Sequence, residues 1–202
     1  MTDQANSRDR QRVLYAHHEA GHAVATFMTV DGELDDECAV ELVEMVELGS
    51  VSGHTHHRGS ANDLVQTAFM IYAGPWAVAR LRWGKPVGSL DDSDNGKSFR
   101  ETVNMAFEKQ GVHSDDARYN ELMHANRDMR GNEPYWSRQL ETVWSVIELL
   151  AGTLVERLAK AEMEDSGMAG TKARSASMTR NDVVKLVGPE LKELEKWRYL
   201  RG

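Results

Sequence analysis

The sequence predicts a mainly α fold, a helical domain carrying a small β-sheet or hairpin beside its first helix. Three observations lead there. Apolar residues recur at helical spacing through residues 9–29, 61–83, 98–110 and 140–163. Period-two alternation is confined to residues 39–55. A chain of 202 residues, 41% hydrophobic and holding one cysteine, can bury a single core without a disulfide staple.

The elements follow in order. Residues 1–12 are polar and read as an N-terminal arm, without the apolar run of a secretory leader. The first helix spans residues 9–29 and stops at the turn chemistry of Asp31-Gly32. In residues 39–48, Val40, Leu42 and Val46 alternate imperfectly with Glu41 and Glu47, and SVSGHTHH follows Gly49, which predicts two short strands. Residues 61–73 form a helix capped by Ser60 or Asn62, continued by residues 77–83 up to Gly84. GKPVGSLDDSDNGK is a loop by composition, and residues 98–110 are a helix ended by Gly111. Residues 126–134 read as irregular. The longest amphipathic helix, residues 140–163, carries a stripe from Leu140 and Val143 through Ile147, Leu150 and Leu154 to Leu158. Residues 164–177 read as a small-residue loop. Thr179 with Asp182 makes a capping-box-like start to a last helix. One domain over residues 13–187, with a charged tail at 188–202, is the expected organisation.

Charge narrows the function. With 24 Lys+Arg against 32 Asp+Glu the chain is at −8, which disfavours a general nucleic-acid binder. The most apolar stretch, residues 64–81, contains Gln66, Gly74, Pro75 and Arg80 and fits a buried helix better than a bilayer span. A soluble, cytoplasmic protein with no membrane partner is expected. Cys38 stands among Asp35, Asp36, Glu37 and Glu41, which disfavours a nucleophilic thiolate.

Chemistry concentrates in YAHHEAGHAVA. His18, Glu19 and His22 form an HExxH pattern. Two imidazoles four residues apart on a helix lie about 6 Å apart along its axis and can reach one tetrahedral zinc. Glu19 then stands where a general base must be to take a proton from the attacking water. His17 is out of register. Val13, Ala16, Ala20, Ala23, Val24 and Phe27 make the opposite, apolar face of the same helix. A catalytic zinc needs another protein ligand. The extended HExxHxxGxxH is excluded, because Ala25 stands where its Gly belongs. The acidic loop offers Asp91, Asp92 and Asp94, with Asp94 favoured; Asp63 is a further candidate with an N-cap explanation of its own. Gly53, His54 and His56 are candidates for the cleft wall, where a histidine could hydrogen-bond an oxyanion; the alternative is a second metal site in residues 53–57, since His54 and His56 point the same way on a strand.

On these residues the chain resembles the zinc-peptidase domain of FtsH-type AAA+ proteases. HEAGHA is similar to that family's zinc signature, with the small Ala20-Gly21 pair where helices pack closely. LVEMVELGSVSGHTHH resembles the strand and turn bordering its substrate cleft, and residues 63–84 resemble the D/E-L-x-x-x-I-x-x-x-L-A-G-R-A-A-E-E segment. There Pro75-Trp76 replace Arg-Ala, and the paired glutamates are absent around Val78 to Arg80. SLDDSDNGKSF falls where the family has S-N-D-L, and the resemblance implies Asp94 as third ligand. It also implies one zinc per chain, a metalloendopeptidase acting on unfolded or extended polypeptides, and edge pairing of the peptide with the strand at Gly53. No GxxxxGK[ST] occurs in the 202 residues, so a separate ATPase or adaptor is the implied partner, and homo-oligomers are conceivable from the relatives. The alternative from another class is a catalytically inactive zinc-binding interaction module. Retention of Glu19 argues against it.

Overall fold

The computed structural model describes residues 2–29, 33–46, 48–58, 63–109, 115–165 and 173–193. Asp31-Gly32, Ser60, Asn62 and Gly111 lie outside them. The fold is mainly α with a small antiparallel sheet, as the periodicities require. Helix α1 (Thr2–Met28) leads to β1 (Glu33–Leu34), β2 (Val40–Met45), β3 (Ser50–Thr55) and β4 (His57–Arg58). Then come α2 (Leu64–Trp83), the hairpin β5 (Ser93–Asp94) and β6 (Lys97–Ser98), α3 (Phe99–Lys109) and α4 (Asp115–Ala125). A 3₁₀ turn precedes α5 (Glu133–Thr142), α6 (Trp144–Asp165), β7 (Ala173–Met178) and α7 (Arg180–Glu193).

The sheet has the order β3-β2-β7, all antiparallel, with β1 and β4 pairing beside it. Register places Gly53 opposite Leu42 and His54 opposite Glu41. β2 is therefore the centre, and β3 is an edge strand whose second side meets no strand among the described residues. β7 begins inside the stretch 164–177 expected to be a loop and ends at Met178. Its small residues ARSASM give little strand signal alone, but pairing along all of β2 supplies the hydrogen bonds.

Helices α1 and α2 form the centre of the core. Ala16, Ala20, Ala23 and Val24 of α1 are buried, as the wheel requires, and so is every residue of α2 from Thr67 to Arg80. Gly21 stands at their crossing, where an added Cβ would lie 2.5 Å from the Ala73 carbonyl oxygen. α2 runs unbroken through Pro75, whereas the sequence suggests two segments. Packing on both sides outweighs the one hydrogen bond Pro75 cannot donate. Asp63 is the N-cap, its Oδ1 accepting from the backbone N–H of Val65 and Gln66 at 2.9 and 3.0 Å. Trp76 Nε1 donates to Ser137 Oγ at 2.9 Å, which ties α2 to α5.

Two boundaries differ from expectation. The helix expected over 140–163 is two, with the chain leaving helical geometry at Val143 (φ −113°). The stripe survives the break: Leu140, Val143, Ile147, Leu150, Leu154 and Leu158 are all buried. Secondly, α1 begins at Thr2, so the polar arm is helical and continuous with the first helix. Its Arg8 and Arg12 reach Glu44 of β2, a fully buried carboxylate in phase with Val40 and Leu42. This ion cluster explains why the strand alternation is imperfect. The capping box holds: Asp182 N–H donates to Thr179 Oγ1 at 3.1 Å and Thr179 N–H to Asp182 Oδ2 at 3.4 Å. No helix among the described residues is long and apolar enough to cross a membrane.

Candidate metal centre

His18, Glu19 and His22 lie on one turn of α1, under β3 and against α2, in a cleft of about 810 Å³. Both histidines are buried because α2 covers the side of α1 that carries them. The rings meet at right angles with centroids 4.4 Å apart, and their Nε2 atoms are 2.9 Å apart. His22 Nδ1 lies 2.7 Å from the Met70 carbonyl, which accepts its Nδ1–H and fixes the ring with Nε2 toward the cleft. His18 Nδ1 is buried and has no hydrogen-bond partner among the described residues.

The third member is Asp115, the first residue of α4. Its Oδ2 is 2.9 Å from His18 Nε2 and 3.0 Å from His22 Nε2. A carboxylate at a helix N-terminus is favoured by the helix dipole, and α4 is anchored from below. Tyr119 stacks on Phe107 at 4.8 Å and donates its hydroxyl to Glu133 at 2.9 Å. Electrostatics mark the trio. Burial disfavours the charged His22 imidazole, but the Asp115 carboxylate overrides it and raises the His22 pKa to about 9. Burial likewise works against the Asp115 carboxylate, yet the two histidines hold its pKa far below the ordinary range.

Two imidazole Nε2 atoms and a carboxylate oxygen converging within 3.0 Å fit a cation better than they fit one another, since each Nε2 is either donor or acceptor and no placement of protons makes all three contacts hydrogen bonds. N, N, O donors from one helix turn and a distant acid suit zinc, and two histidines plus one acid leave a fourth position open. The cradle is also shaped for them. A Cβ at Gly74 of α2 would lie 2.3 Å from His22 Nε2 and 2.8 Å from His18 Cε1. Gly74→Ala is accordingly expected to weaken zinc binding by at least about tenfold, as outer-shell changes do. Gly152→Ala, on α6 where a Cβ meets nothing within 4 Å, is expected to leave it unchanged; zinc titration of both variants checks this.

Glu19 faces the same cleft. Thr55 Oγ1 lies 2.8 Å from Glu19 Oε2 and 3.0 Å from the Glu19 backbone carbonyl, holding the carboxylate against β3. Gly53 makes that approach feasible, because a Cβ there would stand 2.5 Å from Glu19 Cγ. Gly53, His54 and His56 line the cleft, and the His54 and His56 rings sit 4.5 Å apart.

The acids expected as third ligand are elsewhere. Asp94 lies on the β5–β6 hairpin, half exposed, with its Oδ2 3.5 Å from Lys85 Nζ. Asp92 Oδ2 accepts from the backbone N–H of Gly88 and Ser89, and Asp91 faces Arg100 at 3.8 Å. Asp63 is the α2 cap described above. The structure therefore brings Asp115, and not Asp94, Asp91, Asp92 or Asp63, to the two histidines; the loop acids make contacts within their own segment and with Lys85 and Arg100. Asp115-Asp116 are acids in the first turn of a helix, a signal the sequence carries, but the apolar pattern of α4 is too weak to mark that helix. Thr55 was likewise missed. His17, set aside on register, packs on Trp144 at 5.6 Å, and burial pushes its pKa down. Burial, then Glu41 and Asp35, raise the Cys38 thiol, in line with no nucleophilic role. No protein-family model matches the chain, and no curated protein matches its sequence.

Proposed function

We propose that the chain is a zinc-dependent metalloendopeptidase of FtsH-like type that hydrolyses unfolded or extended polypeptides. The observation that carries this reading is the convergence of His18 Nε2, His22 Nε2 and Asp115 Oδ2 in a cleft that also holds the Glu19 carboxylate. These three side chains would hold one zinc. Bound there, zinc supplies Lewis acidity toward the scissile carbonyl and lowers the pKa of water. Glu19 takes the proton of the attacking water and passes it to the departing amine nitrogen. Thr55 keeps the Glu19 carboxylate oriented through that exchange.

The side of β3 that meets no strand among the described residues offers backbone groups for an extended peptide to pair with, beside Gly53 and next to Glu19. Recognition through main-chain hydrogen bonds selects extended chain rather than a particular side chain. Folded substrates would need a separate ATPase or adaptor to present them.

The ligand set is tested by zinc analysis of purified variants. Asp115→Asn is expected to lower zinc affinity by more than about 100-fold, beyond the loss from an outer-shell change. Asp94→Asn should retain stoichiometric zinc. The reverse pattern would overturn the assignment of Asp115.

A further inference from the structure

A second group of metal-ligating atoms includes His56, which lines the cleft. Cys38, between β1 and β2, Glu41 on β2 and His56, between β3 and β4, bring a thiol, a carboxylate and an imidazole within 4.8 Å of one another. We propose that Cys38, Glu41 and His56 form a second binding site for a borderline divalent transition ion of the Zn²⁺ class, separate from the His18–His22–Asp115 centre.

The donor set is the first argument. A sulfur with an imidazole nitrogen favours zinc-like ions over Mg²⁺ or Ca²⁺, which take oxygen. Placement is the second. The backbone N–H of His56 donates to the Ala39 carbonyl at 2.9 Å, and that of Cys38 to Asp35 Oδ1 at 3.2 Å. Both segments are therefore tied to each other or to the adjoining loop before any ion arrives, so little ordering remains to be done on binding. His54, cross-strand from Glu41, stands with its ring 4.5 Å from the His56 ring beside the group. Charge is the third. Glu41 places a carboxylate among the ligand atoms, and a dication bound there would displace the thiol proton of Cys38 to solvent.

The experiment uses the full chain, stripped by chelator, kept reduced and titrated with Co²⁺ alone. Wild type is expected to retain one more ion per chain than Cys38→Ser. It should also show a near-ultraviolet thiolate-to-cobalt charge-transfer band that Cys38→Ser lacks. His56→Ala should weaken the band-forming site by at least about tenfold. His18→Ala should keep the band, so failure of the peptidase centre and failure of this site read out separately. Equal cobalt content in wild type and Cys38→Ser, no band in wild type, or a band lost with His18→Ala would each overturn the proposal.

Discussion

Replacing Glu19 with Gln is expected to cut cleavage of an unfolded substrate such as casein by about 10²–10⁴-fold, the usual contribution of a positioned general base. That corresponds to about 3–5.5 kcal/mol of barrier. Zinc content should not change, because Glu19 is not among the three converging ligand atoms. The substitution is close to isosteric, and the Gln side-chain carbonyl can still accept the Thr55 hydroxyl, so the strand should stay seated on the helix. The loss should therefore appear in kcat rather than in binding or folding. Cleavage by Glu19→Gln at the wild-type rate would remove Glu19 from the mechanism. Stoichiometric zinc with no cleavage by either protein would make the chain the inactive zinc-binding module instead.

Glu44→Gln is expected to destabilise the fold by about 3 kcal/mol, the lower part of the range for breaking a buried charge pair. Glu44 is fully buried and receives Arg8 and, at 2.7 Å, Arg12; Arg174 of β7 is 3.8 Å away. Removing its charge leaves these guanidinium groups with Glu162, which is partly exposed and sits 2.8 Å from Arg12. The low end is chosen because Arg8 and Glu162 keep some solvent. The pH dependence has a definite sign. Burial pushes the Glu44 carboxyl up, but the hydrogen bonds and charges of Arg8 and Arg12 outweigh it, and its pKa is lowered from 4.5. A carboxyl lowered on folding contributes stability above its unfolded pKa and loses it as pH falls through the folded value. Urea denaturation should show a wild-type advantage over Glu44→Gln at neutral pH that shrinks below about pH 4.5. An advantage independent of pH would argue that packing, not charge, is what Glu44 supplies.

The two clusters differ in how they could be read. HExxH was legible because a helix has a fixed period: once residues 9–29 are helical, His18 and His22 share a face whatever the rest does. Glu44 was legible only as an irregularity, because its arginines are 32 and 36 residues away. Asp115 is 93 residues from His22 and was hidden for the same reason. The loop acids Asp91, Asp92 and Asp94 offered the same local chemistry, and local chemistry cannot separate acids that cap their own turn from one that crosses the cleft. The strand β7 was obscured by composition, since Ala and Ser acquire strand geometry here from β2 rather than from any preference of their own.

What the sequence determined by itself is whatever depends on neighbours within a turn or two: the helical class, the shared face of His18 and His22 on α1, the Thr179–Asp182 cap and the apolar stripes of α5 and α6. Only the tertiary structure decided which acid faces the histidines, which glycines make room for them, and that the hydroxyl of Thr55 holds Glu19. Those outcomes are set by how α2, α4 and β3 close on α1, and packing between distant segments is a sum over contacts that no local pattern encodes.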